Sequence, residues 1–213
     1  MPTRALFFTF VFPCLAHAAA PIHREAFDAP TGATYSYPVA KGYKSHLQDR
    51  VSGWAGNAVI SVAYAEGLGQ SGGGIRCEVV KPGSDYAMLN LRLPLASLAA
   101  PGGLTAEQLR GLVVTFAIKG TEGLSLTAAV HPTTKVEWSV RLALPEILLS
   151  NRWNETRLAF ATAKPEALAA VAAAYNAGDK SELVLALYLK DLVDWQTGDG
   201  FQLDNLVLES ETR

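Results

Sequence analysis

Polar and aromatic side chains recur at alternate positions of several short apolar runs, where together they could hold a hydroxyl-rich ligand by hydrogen bonds. In the run from residue 86 to 93, Leu89 and Leu91 alternate with Asn90 and Arg92. Successive side chains of a strand point to opposite faces, so we expect the leucines in a core and the polar residues on an outer face. The same phase places further residues outside: Arg76, Glu78, Tyr86, Glu137, Ser139, Arg141, Tyr188 and Lys190. The alternative is the ordinary solvated face that antiparallel sheets commonly have.

Two of the four tryptophans stand among turn residues, where a large ring either packs a loop or stacks on a ligand. Trp54 lies in the segment GWAGN and Trp195 in the segment VDWQTGDG, so both are candidate ligand platforms. Trp138 alternates in phase with Val140, and Trp153 stands just before an apolar run. We therefore expect these two rings in the core.

The glycine-rich segment 67–73 spells two motifs of enzyme chemistry, GxGxxG and GxSxG. Dinucleotide binding and a nucleophile elbow both need a helix directly after the glycines. Here Ile75, Cys77 and Val79 alternate with charged residues instead, which is typical of a strand. We therefore predict a turn between two antiparallel strands, and neither a dinucleotide site nor a nucleophilic Ser71.

Metal chemistry is supported only by scattered acids. Asp191, Asp194, Asp199 and Asp204 cluster near the end of the chain, but their spacing is not that of an EF-hand loop. Zinc ligation is not expected either, because the chain lacks closely spaced histidine and cysteine ligands. An oxygen-rich site assembled from several loops stays open.

The first eighteen residues are typical of a secretory signal peptide. Arg4 precedes an apolar run from Ala5 to Leu15 and then the small-x-small site at residues 16–18. We expect an exported protein, periplasmic or extracellular, without membrane insertion. Removing this segment leaves 17 basic and 20 acidic side chains, so no electrostatic attraction to nucleic acid is expected. Cys77 then remains as a lone cysteine, predicted to be buried.

Short alternating runs separated by glycine, proline and asparagine predict an all-β fold. The candidate strands are residues 24–28, 58–65, 74–80, 86–93, 112–119, 124–130, 136–143, 156–161, 182–190 and 201–209. Two short helices interrupt them, one opened by a capping box at Thr105 and one over residues 165–177. The pattern favours one two-sheet antiparallel sandwich of jelly-roll type over residues 19–213.

Several segments resemble the galactose-binding-like jelly rolls of carbohydrate-binding modules. They are Glu25-Ala-Phe-Asp28, GLGQSGGGIRCEV, LVVTFAIKG, WNETRLAF and the closing Phe201-Gln-Leu-Asp204-Asn205-Leu-Val-Leu-Glu. The resemblance implies a structural calcium ion between the chain ends, held by Glu25 or Asp28 together with Asp204. It identifies no aromatic pair for a glycan.

The leading hypothesis is therefore a non-catalytic protein that binds a polysaccharide or oligosaccharide. The expected ligand-binding residues are Trp195, Trp54, Tyr86, Asn90, Arg92 and Tyr188. One alternative is a glycoside hydrolase or polysaccharide lyase on the same scaffold, for which Glu78 and Glu137 are the candidate acids. The other is a structural or adhesive module that binds protein through an exposed apolar patch.

Overall fold

Two antiparallel sheets face each other across one apolar core in the computed structural model. The structure describes residues 21–27, 35–39, 45–47, 51–95, 98, 102–132, 140–178 and 182–211. The predicted signal peptide, Asp28, Glu137, Trp138 and Ser139 lie outside these residues.

Fourteen strands and two helices lie within the described residues. The strands are β1 (His23–Glu25), β2 (Tyr35–Val39), β3 (Ser45–Leu47), β4 (Val51–Ala55), β5 (Val59–Glu66), β6 (Gly73–Lys81), β7 (Ala87–Pro94), β8 (Leu112–Gly120), β9 (Ser125–Pro132), β10 (Leu142–Ala143), β11 (Ile147–Leu148), β12 (Asn154–Ala159), β13 (Glu182–Leu189) and β14 (Gly200–Ser210). The helices are α1 (Ala106–Arg110) and α2 (Pro165–Ala177), and two single 3₁₀ turns cover Phe160–Thr162 and Leu192–Asp194.

The strands form two layers of seven. Sheet A has the order β12-β8-β14-β6-β5-β2, with β1 also paired to β14. Sheet B has the order β10-β9-β13-β7-β4-β3, with β11 also paired to β9. Every pairing is antiparallel. The predicted fold class, an all-β two-sheet sandwich of jelly-roll type with short helices in connections, is confirmed.

Alternation along the strands builds the core as the sequence predicts. Leu89 and Leu91 of sheet B face inward and are almost fully buried. Ile75 and Cys77 of sheet A do the same from the opposite layer. Burial in this apolar layer raises the pKa of the Cys77 thiol to about 12, because the thiolate would lose its hydration. Cys77 is therefore a small core residue, as predicted.

Both predicted helices are present and bury apolar side chains in the common core, Leu109 from α1 and Leu168 and Val171 from α2. Thr105 Oγ1 accepts the Gln108 amide, and the Gln108 side chain accepts the Thr105 amide, which completes the capping box. Helix α2 begins at Pro165 and ends before Gly178. The two helices pack together, and the Asn176 side chain ties α2 to Leu104 by two hydrogen bonds of 2.8 Å.

Some strand predictions need correction. The run predicted over residues 136–143 is a strand only at Leu142–Ala143, and residues 136–139 lie outside the described part of the chain. Strand β12 begins at Asn154 and ends at Ala159, because residues 160–162 form a 3₁₀ turn. Strands β2, β3, β4 and β11 were not predicted. Pro38 and Gly53 break the alternating pattern in β2 and β4, and the other two have three residues or fewer.

Candidate ligand-binding face

The outer face of sheet B brings five of the six predicted ligand-binding residues together. The register places Trp54 of β4 opposite Met88 of β7, and Met88 opposite Tyr188 of β13. The next row pairs Ser52 with Asn90 and Asn90 with Ala186. Since the intervening leucines of β7 and β13 lie in the core, these rows face outward.

Two longer side chains on this face meet above a floor of alanines. His131 Nε2 and the Tyr188 hydroxyl are 2.8 Å apart, with the rings edge to face at a centroid distance of 6.2 Å. His131 of β9 pairs with Val184, which is four residues before Tyr188 on β13. The pair Ala129–Ala186 lies between these two positions. The contact therefore spans the alanines, which explains why outward-facing Ala186 is fully buried and Ala129 is 2% exposed.

The electrostatics of this contact keep the histidine neutral. Burial, together with the smaller effect of the positive charge of Arg141, lowers the pKa of His131 to about 4. Burial also raises the pKa of Tyr188, while a hydrogen bond and the charge of Arg141 oppose that rise. At neutral pH the face thus offers an uncharged imidazole, a protonated phenol and the Arg141 guanidinium.

Two polar atoms on the same face have no hydrogen-bond partner within the described part of the chain. They are the indole Nε1 of Trp54 and the side-chain oxygen Oδ1 of Asn90. One is a donor and the other an acceptor, and they belong to neighbouring rows of adjacent strands. Buried groups of this kind are normally satisfied, so each marks a place where a ligand or water would complete the structure.

Tyr86 and Arg92 extend the face along β7 in opposite directions. Tyr86 precedes the strand in phase with Met88 and is 45% exposed, which makes it one of four exposed large hydrophobic side chains among the described residues. Arg92 follows Asn90 in phase and its Nη1 lies 3.5 Å from a Glu182 carboxylate oxygen. The face thus has exposed ring area at one end and a held guanidinium at the other.

The prediction for Trp195 is wrong. Its side chain is 1% exposed and packs in the core beneath the 3₁₀ turn at residues 192–194, and its Nε1 donates to the Lys190 carbonyl at 2.8 Å. The turn residues around it are on the surface, but the ring folds inward. It has no face open for stacking.

The outward residues do not form one surface, which corrects the expectation of a single polar face. Arg76 and Glu78 belong to β6 and lie on the outer face of sheet A, on the opposite side of the sandwich from Asn90. Glu78 pairs there with Arg76 at 3.4 Å. Its proposed acidic partner, Glu137, lies outside the described residues. The predicted pair Glu78 and Glu137 therefore stays a prediction.

The glycine-rich segment is a turn between β5 and β6, as predicted, and Asp204 holds it. Asp204 lies in β14 where the partner strand changes from β6 to β1, and it is fully buried. Its Oδ2 accepts the backbone amides of Gln70 and Ser71 at 2.9 and 3.3 Å, and Oδ1 accepts the Asn205 amide at 2.7 Å. These hydrogen bonds give the acid in an otherwise apolar strand a structural role.

The predicted calcium site is only partly described. Glu25 Oε1 accepts the Phe27 amide at 3.4 Å, and Asp204 is engaged by amides as above. Among the described residues no group of three or more histidine, cysteine or acidic side chains could hold a metal ion. Asp28 lies outside them. The described donors alone do not fit calcium, so the site stays a prediction that depends on Asp28.

The sequence argument missed His131 and Met88 as members of the face. His131 alternates in β9 with Ala128 and Val130, which point into the core, so strand phase could have placed it outside. Met88 gave no such signal, because an apolar side chain between Ala87 and Leu89 is typical of a core position.

Comparison with known proteins finds neither a matching family model nor a matching curated protein. Solved structures of carbohydrate-binding modules are similar over most of the chain, in agreement with the resemblance seen in the sequence. A family 30 module of a Clostridium thermocellum cellulosomal cellulase has 11% identity and a TM-score of 0.46, covering 84% of this chain and 99% of that chain. A family 11 module from the same organism, in complex with a β-1,3-1,4-mixed-linked tetrasaccharide, has 14% identity and a TM-score of 0.42, covering 87% and 93%.

A third similar structure is TmCBM61 in complex with β-1,4-galactotriose, at 10% identity and a TM-score of 0.40, covering 84% of this chain and 90% of that chain. At these identities the likeness concerns the fold alone. Within the described residues, neither helix is long and apolar enough to cross a membrane.

Proposed function

We propose that this protein is a non-catalytic carbohydrate-binding protein that receives a glycan on the outer face of sheet B. The observation that carries the proposal is the strand register, which gathers Trp54, Tyr86 and Tyr188 around Met88, beside Asn90 and Arg92. Sugar rings present apolar C–H faces that pack on aromatic rings, and hydroxyls that pair with amides and guanidinium groups. The face supplies both kinds of group within two adjacent rows.

The unpartnered atoms support this assignment. A sugar hydroxyl can accept a hydrogen bond from Trp54 Nε1 and donate one to Asn90 Oδ1, since a hydroxyl does both. The His131–Tyr188 contact fixes the tyrosine ring before binding, which reduces the entropy lost when a ligand packs on it. The face is therefore largely preformed.

Isothermal titration calorimetry with oligosaccharides tests the proposal. The first probes are a β-1,3-1,4-mixed-linked tetrasaccharide and β-1,4-galactotriose, the ligands named for two of the similar structures. We expect Trp54→Ala to weaken binding by about tenfold or more, since losing a packed ring removes roughly 1.5 kcal/mol. Val80→Ala is the matched control, because Val80 is 46% exposed on β6 of sheet A and its truncation removes apolar area away from sheet B.

A Trp54→Phe variant guards against misfolding, because it keeps a six-membered aromatic ring at this position while removing the five-membered ring and its N–H. If melting temperatures are unchanged and neither Trp54→Ala nor Tyr86→Ala alters the affinity for any glycan that binds, the proposed face is wrong. Release of reducing ends from a bound polysaccharide would contradict the non-catalytic part.

We also propose that the protein is exported to the periplasm or the exterior, on the strength of the leader pattern at residues 1–18. Cell fractionation and N-terminal sequencing of the mature chain test this. A chain that retains Met1 in the cytoplasm would refute it.

A further inference from the structure

An open pocket of about 370 Å³, lined by several charged and polar residues, lies on the outer face of sheet A, on the far side of the sandwich from the face described above. Its volume is at the small end of the range of roughly 300 to 1,000 Å³ for small-molecule pockets. The residues used below are Arg76, Glu78, Lys119, Thr121, Gly200 and Gln202, all of which line it. Nothing in the sheet B site uses them.

The strand register sets the pocket's wall. Gln202 of β14 is directly opposite Arg76 of β6 on one side and Lys119 of β8 on the other. The two cationic residues therefore flank one amide across three adjacent strands. Neighbouring strands are about 4.8 Å apart, so the backbones that carry the two cations are separated by roughly 10 Å. Long flexible side chains at this separation can converge on one anionic group placed above Gln202.

The formal net charge of the residues that line the pocket is +1. Arg76 forms an ion pair with Glu78, with its Nε 3.4 Å from a Glu78 carboxylate oxygen. Lys119 Nζ lies 5.0 Å from the centroid of the Trp153 ring, which holds the ammonium by a cation–π contact. Among the described residues, no carboxylate lies within ion-pair distance of Lys119. The pocket thus has one acid, which is paired, and two cations.

The pocket's wall also holds an unused acceptor. Gln202 Oε1 is buried and has no hydrogen-bond partner in the part of the chain that the structure describes. The hydroxyl of Thr121, in contrast, is engaged, because it accepts the Gly200 amide at 3.1 Å. An acceptor left unsatisfied between two cationic residues favours a ligand that carries hydrogen-bond donors next to a negative charge.

We propose that this pocket is a second ligand site that binds a small polyhydroxylated carboxylate, of which a hexuronic acid unit is the simplest form. The carboxylate lies between Arg76 and Lys119, and a ring hydroxyl donates to Gln202 Oε1. Charge-assisted hydrogen bonds to guanidinium and ammonium groups are stronger than neutral ones, so the carboxylate supplies most of the selectivity. The proposal does not rest on the sheet B site.

The test uses sodium galacturonate and its neutral counterpart galactose, titrated into the full chain and followed by NMR shifts and calorimetry. We expect galacturonate to bind at least about tenfold more tightly than galactose, the equivalent of one charge-assisted hydrogen bond. Lys119→Gln should remove about that factor. Lys190→Gln is the matched control, since Lys190 is also partly exposed but pairs with Glu146 at 2.8 Å away from the pocket.

Four results would overturn the proposal. They are equal affinity for galactose and galacturonate, no measurable binding of galacturonate, an effect of Lys190→Gln as large as that of Lys119→Gln, and chemical shift changes confined to sheet B. The Trp54→Ala variant separates the two sites: galacturonate binding should survive in it. A failure of the sheet B proposal would leave this result unchanged.

Discussion

Replacing Asp204 by alanine removes the acceptor that fixes the glycine-rich turn to the sheet. The carboxylate is fully buried and accepts the amides of Gln70, Ser71 and Asn205. In the alanine variant these three N–H groups lose their acceptor, and each buried unsatisfied group costs about 1 to 3 kcal/mol. Because the turn itself is exposed and water can reach its amides, the low end applies. We expect a loss of about 3 kcal/mol in the free energy of unfolding.

Urea denaturation measures this loss, and hydrogen exchange locates it. The amides of Gln70 and Ser71 should exchange faster in Asp204→Ala than the core amides of β7, because the turn is released before the sheet opens. Asp204→Asn keeps one oxygen acceptor but turns an NH₂ group towards amide donors. Because one of the two oxygen acceptors remains, we expect the free energy of unfolding to fall by about half as much as in Asp204→Ala.

Asp199→Ala is the matched control. Asp199 Oδ2 also accepts a backbone amide, that of Gln196 at 2.6 Å, but at an exposed turn. It should cost under about 1 kcal/mol, because water replaces the lost acceptor. If Asp204→Ala is no more destabilising than this control, or if exchange at Gln70 and Ser71 is unchanged, the anchoring role of Asp204 is refuted.

Three further predictions follow from the buried groups and the chain ends. The pKa of His131 is about 4 in the folded state against an ordinary 6.5, so the unfolded chain takes up the proton at higher pH than the folded chain does. The free energy of unfolding is therefore fully present above pH 6.5 and falls as the pH is lowered towards 4. Urea titrations should show a loss of about 2 kcal/mol between pH 7 and 5, and this loss should be absent in His131→Gln. Adding EDTA should lower the melting temperature and calcium should restore it if Glu25, Asp28 and Asp204 bind the ion; an unchanged melting temperature would leave Asp204 with its turn contacts alone. Cys77 should react with a thiol reagent only at the rate of unfolding, and fast modification of the native protein would contradict its burial.

The alternation of side chains predicted most of the strands and the direction of their residues, but not the sheet to which each belongs. Arg76 and Asn90 are both outward in phase, and both are outward in the structure. Period two separates inside from outside within one strand, and a sandwich has two outsides. Which strands share a layer depends on long-range pairing, and no local pattern encodes it.

The misplaced tryptophan has a different cause. The segment around Trp195 has the turn residues of a surface loop, and the loop is on the surface. The ring nevertheless enters the core, because its apolar area is large and the Lys190 carbonyl satisfies its one donor. The turn residues of a segment predict that its backbone lies at the surface. The direction of a single side chain depends on whether the core below the segment has room for it.

The glycine at position 200 limits how the sheet A pocket can be re-engineered. A Cβ there would overlap the Cys77 carbonyl oxygen of the paired strand. Any side chain at residue 200 would force β14 away from β6. The pocket therefore cannot be made shallower by a larger residue at this position. Selectivity for other ligands has to come from substitutions of the residues that surround the pocket opening. Mutant libraries designed to change the ligand should therefore leave Gly200 unchanged.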